Sequence, residues 1–148
     1  MSRRGAPFGG GVFIADTSAW SRADAPPVRR EWAAAVEDGL IATTPPVRLE
    51  LLLSVGDDAR FDALDDDLAE LRDIPISRSV TNAATHALRR LAHARPPVHR
   101  GVRVPDLLIA AAAQDAGVGV LHYDEHFDRL ATVLAFESRW IAPRGSLD

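Results

Sequence analysis

Four acidic residues occupy places where a charge is least expected. Asp16 ends the apolar run 12–15, Glu50 lies inside the leucine-rich stretch 47–53, Asp106 opens the apolar stretch 107–113, and Asp124 follows the run 118–121 with only His122 and Tyr123 between. A carboxylate beside a buried segment is costly unless something positive compensates it, and a bound divalent cation is the strongest compensator available. The four acids therefore read as one metal pocket. Hard cations such as Mg2+ take oxygen ligands, keep several waters and bridge one or two carboxylates to a phosphate. The chemistry that suits such a pocket is hydrolysis of a phosphodiester by a metal-activated water. In this reading Asp16 and Asp106 are the direct ligands, Asp124 completes the metal site directly or through water, and Glu50 positions water or a second ion.

Each acid also has a local explanation. Asp106 suits the first turn of a helix, where the dipole favours an anion. Asp124 would cap a short helix over 125–131, and Asp16 the turn at Thr17 and Ser18. Glu50 fits neither role, because a helix that is apolar nearly all round is buried, and its side chain is expected to point into the protein. Only the joint pattern favours the pocket. Two other constellations carry less. His122 and His126 stand four apart around Asp124, as zinc ligands on one helix face would, but His122 belongs to a strand end. Asp65, Asp66 and Asp67 would point in different directions on a helix, which makes a solvated face.

Short elements must bring the acids together. The runs 12–15, 40–42 and 118–121 are apolar and each follows glycine, as buried strands do. Ile74-Pro75-Ile76 reads as a brief edge strand, where proline is tolerated, and 137–142 as a closing strand. Between them fall a helix over 28–38 stopped by Gly39, and a helix with Thr44 as N-cap and Pro45 in its first turn. A third helix starts at Asp57-Asp58 and carries Phe61, Leu64, Leu68 and Leu71 on one stripe. A fourth opens at Ser79 and runs to about Ala94, before Pro96-Pro97, and the Asp106 helix follows. This alternation predicts an α/β protein, a three-layer α/β/α sandwich around a central, mainly parallel sheet. It is expected to be one domain over 1–148, with flexible ends at about 1–10 and 143–148. Open sheets of this kind bind ligands at the carboxyl ends of their strands, where Asp16 and Asp124 stand.

Composition agrees and excludes. The chain has 148 residues, 47% apolar and 26% charged, enough for one substantial core. The absence of cysteine removes disulfides, thiol catalysis and Cys-ligated zinc, and fits a reducing cytoplasm. No stretch is long enough to span a membrane, and the apolar run after Arg3 and Arg4 is broken by Asp16 too early for a signal peptide. All 17 basic residues are arginine, so a Walker A loop and the usual receiver domains and haloacid-dehalogenase-like phosphotransferases, which need lysine, are excluded. A net charge of −4 argues against a general nucleic-acid binder. Yet Arg89, Arg90, Arg95, Arg100 and Arg103 fall in one stretch ending next to Asp106. Arg95, Arg100 and Arg103 are the candidate RNA contacts, with a solvated helix face and loop as the alternative. Trp20, Trp32 and Trp140 can stack on bases or fill a core.

The segments Asp16-Thr17-Ser18-Ala19, Glu50 in its leucine-rich helix, Pro105-Asp106-Leu107-Leu108-Ile109-Ala110-Ala111-Ala112-Ala113, and Tyr123-Asp124-Glu125-His126-Phe127-Asp128 follow the order found in PIN-domain proteins. Together, from about Val12 to the C-terminus, they resemble a VapC-type toxin ribonuclease. The resemblance implies a PIN-like fold and an endoribonuclease dependent on Mg2+ or Mn2+, with Asp16, Glu50, Asp106 and Asp124 as its acidic quartet. Ser18 maps onto the small residue that supports the first acid, and Asp128 onto an extra acid found in many relatives. The resemblance further implies a cytoplasmic toxin acting on transfer or ribosomal RNA, a homodimer, and a cognate VapB-type antitoxin that blocks the pocket. One departure is His122, which stands where the family often has threonine or serine and puts the support of Asp124 in question. Competing classes are a metal-dependent DNA nuclease or phosphatase using the same acids, and a non-catalytic RNA- or protein-binding module.

Overall fold

The structure, a computed structural model, describes residues 5–147. Its strands are β1 Phe13–Ala15, β2 Ile41–Thr43, β3 Arg72–Asp73, β4 Gly119–His122 and β5 Ser138–Trp140, in the sheet order β3-β2-β1-β4-β5. All the pairings are parallel. The helices are α1 Thr17–Trp20, α2 Arg29–Glu37, α3 Pro45–Leu53, α4 Asp58–Ala69, α5 Arg78–Ala92, α6 Val104–Ala116 and α7 His126–Leu130.

Side chains alternate across a strand, and here that alternation builds two cores. Phe13, Ala15, Ile41 and Leu121 pack with Ala19, Val28 and Ala35 of the α1 and α2 region. Their neighbours Ile14, Ala42 and Val120 pack on the opposite side with residues of α3, α5, α6 and α7. The result is the expected three-layer sandwich, with a sheet that is parallel throughout. Helix α6 is buried nearly all round, and its four successive alanines, Ala110 to Ala113, are fully enclosed. Small side chains there leave room for the apolar stripe of α5, formed by Val80, Ala84, Ala87 and Leu91.

The topology sets the position of any site. From β1 the chain builds outward through β2 and β3, then crosses to the other side of β1 to lay down β4 and β5. The direction of winding therefore reverses between β1 and β4, and a crevice opens beyond their carboxyl ends. The β1–β4 contact is close: a Cβ at Gly119 would lie 2.6 Å from the Phe13 ring and 2.9 Å from the Glu137 carbonyl oxygen. Only glycine fits there. Gly117, with φ +68°, ends α6 in the left-handed conformation and turns the chain into β4.

Several boundaries differ from the sequence expectation. The edge strand lies at Arg72–Asp73 rather than at 74–76: the Ile74 N–H completes the ladder to the Thr43 carbonyl (2.8 Å), and Pro75 has no N–H with which to continue. Thr44 precedes α3 but caps nothing, because its hydroxyl donates to the Ile74 carbonyl (2.7 Å). Helix α5 is capped by Ser77, whereas Ser79 bonds Asp115 at 2.9 Å. Of the α4 stripe only Leu68 is buried, and Phe61 is 40% exposed.

The ends expected to be flexible are partly docked. Phe8 is buried and its N–H donates to Glu31 (2.9 Å), while the Leu147 N–H donates to the Tyr123 hydroxyl (3.0 Å). Residues 1–4 and 148 lie outside the described residues. Trp20 and Trp32 pack edge to face at 4.9 Å, and Trp140 packs on His122 and Tyr123, so the indoles serve packing. Among the described residues no helix is long and apolar enough to cross a membrane.

Gly119→Ala is expected to lower stability by about 1–3 kcal/mol through overpacking, read as a lower urea midpoint. Gly56→Ala, where a Cβ meets nothing within 4 Å, serves as the control and should unfold close to the parent.

Candidate metal centre

Asp16 directly follows β1 and caps α1. One of its carboxylate oxygens accepts from the Ser18 N–H (3.1 Å) and from the Ser18 hydroxyl (2.6 Å). The same hydroxyl accepts the Tyr123 N–H at 2.9 Å, so Ser18 ties the end of β1 to the segment leaving β4. Asp106 sits in the first turn of α6, where free N–H groups favour an anion. Asp124 lies two residues beyond β4 and accepts the His126 N–H (3.0 Å) at the start of α7. Glu50, on α3, accepts from the Thr17 hydroxyl at 3.1 Å. All four acids line one cleft of about 420 Å³, together with Ser18 and Arg103. A larger cavity, about 690 Å³, opens between α2 and the turn at Pro7–Gly10 and is lined by none of these acids.

The cleft is electrostatically strained. Burial, then the charge of Asp16, raises the Asp106 carboxyl to about 6, with Arg103 pulling the other way. Burial also pushes Asp16 upward against the hydrogen bonds from Ser18. Asp124 is half-buried; burial raises it, but the bonds from His126 and the charge of Arg103 outweigh that and hold it below the usual carboxylate range. Arg103 spans the gap, with Nε 3.2 Å from Asp106 and Nη2 2.7 Å from Asp124. His126 Nδ1 lies 2.6 Å from the other Asp124 oxygen.

These residues fit a hard divalent cation. Ligand atoms of Asp106, Asp124 and His126 fall within 4.8 Å of one another, Asp16 and Glu50 add carboxylates to the same cleft, and an internal guanidinium already bridges two of the acids. Oxygen-rich donor sets of this kind suit Mg2+ or Mn2+.

Several placements correct the sequence reading. Glu50 is exposed at the rim, because α3 leaves its outer face to solvent; Leu49 and Leu53 are 57% and 85% exposed. Asp128 does not face the cleft. Asp124 precedes α7, so the four-residue spacing does not put the two acids on one helix face, and Asp128 instead accepts from Ser138 (2.6 Å) and Trp140 (3.0 Å) on β5. Arg103 meets the acids themselves, whereas Arg95 and Arg100 are exposed on the loop leading to α6 and do not line the cleft. His122 is fully buried, and burial lowers its pKa to about 4 against the charges of Asp128 and Asp124. The roles of Thr17 and Ser138 escaped the sequence reading, and His126, weighed there only as a zinc ligand paired with His122, meets Asp124 without it. A hydroxyl next to Asp16 and a histidine next to an acid were visible, but nothing marked Ser138.

A family model described as PIN domain matches residues 13–133. The chain belongs to the PIN-domain family. Among curated proteins it is 43% identical over 136 residues to Ribonuclease VapC18 of Mycobacterium tuberculosis, covering 92% of this chain and 99% of the relative. It is 36% identical over 138 residues to Ribonuclease VapC51 of the same organism, covering 92% and 97%. Solved structures share the PIN fold: VapBC-5 from Mycobacterium tuberculosis has a TM-score of 0.63 at 22% identity over 88% of this chain and 98% of that one. FitAcB from Neisseria gonorrhoeae has 0.59 at 20% identity over 85% and 97%.

The raised Asp106 carboxyl makes the metal-free PIN domain pH-sensitive. Because its folded pKa, about 6, exceeds the ordinary 3.8, its contribution to stability is complete below the ordinary value and is lost as pH rises through about 6. Asp106→Asn cannot ionise. In chelator it should therefore exceed the parent by roughly 1–3 kcal/mol at about pH 8 and match it near pH ~3.5, as measured by urea unfolding at each pH.

Proposed function

We propose that this PIN-domain protein is a divalent-metal-dependent endoribonuclease, the toxin of a toxin–antitoxin pair, which hydrolyses RNA phosphodiester bonds using Mg2+ or Mn2+. What supports this reading is the convergence of Asp16, Asp106, Asp124 and Glu50 on one cleft at the sheet's switch point. Asp16, Asp106 and Asp124 hold the ion, with His126 beside Asp124. When bound, the ion supplies Lewis acidity toward the phosphate and an attacking water and offsets charge on the leaving oxygen.

The chain's own residues do the rest. Ser18 keeps the Asp16 carboxylate turned into the cleft. Glu50, exposed and steadied by Thr17, orients a water arriving from solvent and accepts its proton. Arg103 is 60% exposed on its side chain and long enough to leave the carboxylates for a phosphate oxygen, which its planar fork suits. Arg95 and Arg100 extend the positive approach along the same loop.

Relatives named ribonucleases support RNA as the substrate, with transfer and ribosomal RNA the first to try. VapBC toxin–antitoxin proteins among the structural neighbours support a VapB-type antitoxin as partner, and we take the cleft to be the surface it blocks. We take the working form to be a cytoplasmic homodimer, each chain folding as one domain.

The test is cleavage of transfer and ribosomal RNA, matched DNA and a small phosphate ester, each with Mg2+, Mn2+ or chelator. RNA alone should be cut, and only with an ion. Asp106→Asn should slow cutting more than about 100-fold, a loss of about 3 kcal/mol in transition-state stabilisation. Full metal-dependent activity in that variant would sink the proposal, and equal cutting of DNA would replace it with a general nuclease. Arg103→Ala should weaken RNA binding in a filter assay while Mn2+ binding, followed by calorimetry, is retained or tightened, since the ion no longer competes with the guanidinium.

A further inference from the structure

We propose that His122, Ser138 and Asp128 form a relay that positions Asp124 in the cleft, with His122 held as the neutral Nε2–H tautomer. The relay rests on the reading of Asp124 as part of the metal centre, but its geometry stands apart from that reading.

The chain of hydrogen bonds begins at its outer end, on Asp128. The Asp128 carboxylate can only accept, so the Ser138 hydroxyl, 2.6 Å away, donates its single hydrogen there, and Trp140 Nε1–H fills the second carboxylate oxygen at 3.0 Å. Ser138 Oγ is left as an acceptor. His122 Nε2 lies 2.7 Å from it and must therefore carry the hydrogen. His122 Nδ1 is then bare, and it accepts the Asp124 backbone N–H at 3.1 Å. Each bond dictates the polarity of the next, and only one tautomer satisfies all of them.

The ring cannot turn to escape. It is fully buried, stacks on Phe127 at 5.1 Å and meets Trp140 edge-on at 5.1 Å. Asp124 would otherwise be a half-exposed residue on a short loop between β4 and α7. The relay fixes the N–H of its peptide plane from below, while His126 and Arg103 hold the carboxylate from above. Asp128 thus acts on the centre through two intermediaries, Ser138, ten residues further along the chain, and His122. It is a positioning residue, as are His122 and Ser138.

Two substitutions separate the halves of the relay. In His122→Asn the amide oxygen stands near the place of Nδ1 and keeps an acceptor for the Asp124 N–H. In His122→Gln the amide nitrogen stands near the place of Nε2 and keeps only the bond to Ser138. Mn2+ binding by calorimetry should weaken about 10-fold or more in His122→Gln, the loss typical of groups that orient metal ligands, and by less in His122→Asn. Ser138→Ala and Asp128→Asn change accessible positions and guard against a variant that does not fold.

The second readout is nitrogen NMR of the ring, assigned by loss of the signal in His122→Gln. The parent should show a protonated Nε2 and a bare Nδ1, and Ser138→Ala should mix the tautomers and shift the Asp124 amide resonance with little change in thermal stability. A protonated Nδ1 in the parent, or parental Mn2+ affinity in a folded His122→Gln, would overturn the relay. A parent that binds no Mn2+ yet shows the protonated Nε2 and the Ser138-dependent Asp124 shift would overturn the metal reading and uphold the relay.

Discussion

Mutual repulsion among Asp16, Asp106 and Asp124 is the constraint around which the rest of the molecule is arranged. Two of these carboxylates are buried and the third is half-buried, and burial alone pushes each toward its neutral form. They stay together because separate groups oppose that tendency. Ser18 donates twice to Asp16, His126 donates to Asp124, and Arg103 lays a guanidinium between Asp106 and Asp124. An arginine that is mostly exposed is a modest partner on its own. A divalent ion brings twice the charge to the same cleft, and so the metal-free fold already has the form of a receptor for one.

The sheet makes such a concentration of charge possible. A switch of winding direction between β1 and β4 leaves a crevice that no connecting helix fills, and the loops that leave those two strands carry Asp16 and Asp124 into it. Helix α6 then presents its amino end, the positive end of its dipole, with Asp106 in the first turn. Its run of alanines and the bare Cα of Gly119 let helix and strands pack closely enough for the acids to share one cleft.

Support differs from acid to acid, and with it the chemistry each can perform. Asp16 is fixed by a hydroxyl that also ties down the chain after β4, and Asp124 is fixed at its backbone through His122, Ser138 and Asp128. Glu50 has only Thr17 and open solvent. A loosely held carboxylate at a rim suits traffic in water and protons, whereas rigidly held ones suit an ion.

Much of this was legible in the chain itself. Acids set against apolar runs, strands that follow glycine and alternation of strand with helix were enough to name the four cleft acids and the layered, mainly parallel sheet, because each rests on local patterns of polarity and backbone freedom, whereas Ser18 came only from the resemblance to PIN-domain proteins. What could not be read were choices between partners distant in sequence. Thr44 turned from capping α3 to the Ile74 carbonyl, Ser77 rather than Ser79 capped α5, Glu50 faced outward, and Asp128 turned from the cleft toward Ser138 and Trp140. A polar side chain takes the partner that tertiary packing brings within about 3 Å, and a sequence does not contain that distance. Residue types determined which groups were able to do chemistry; only the folded arrangement decided which of them face one another.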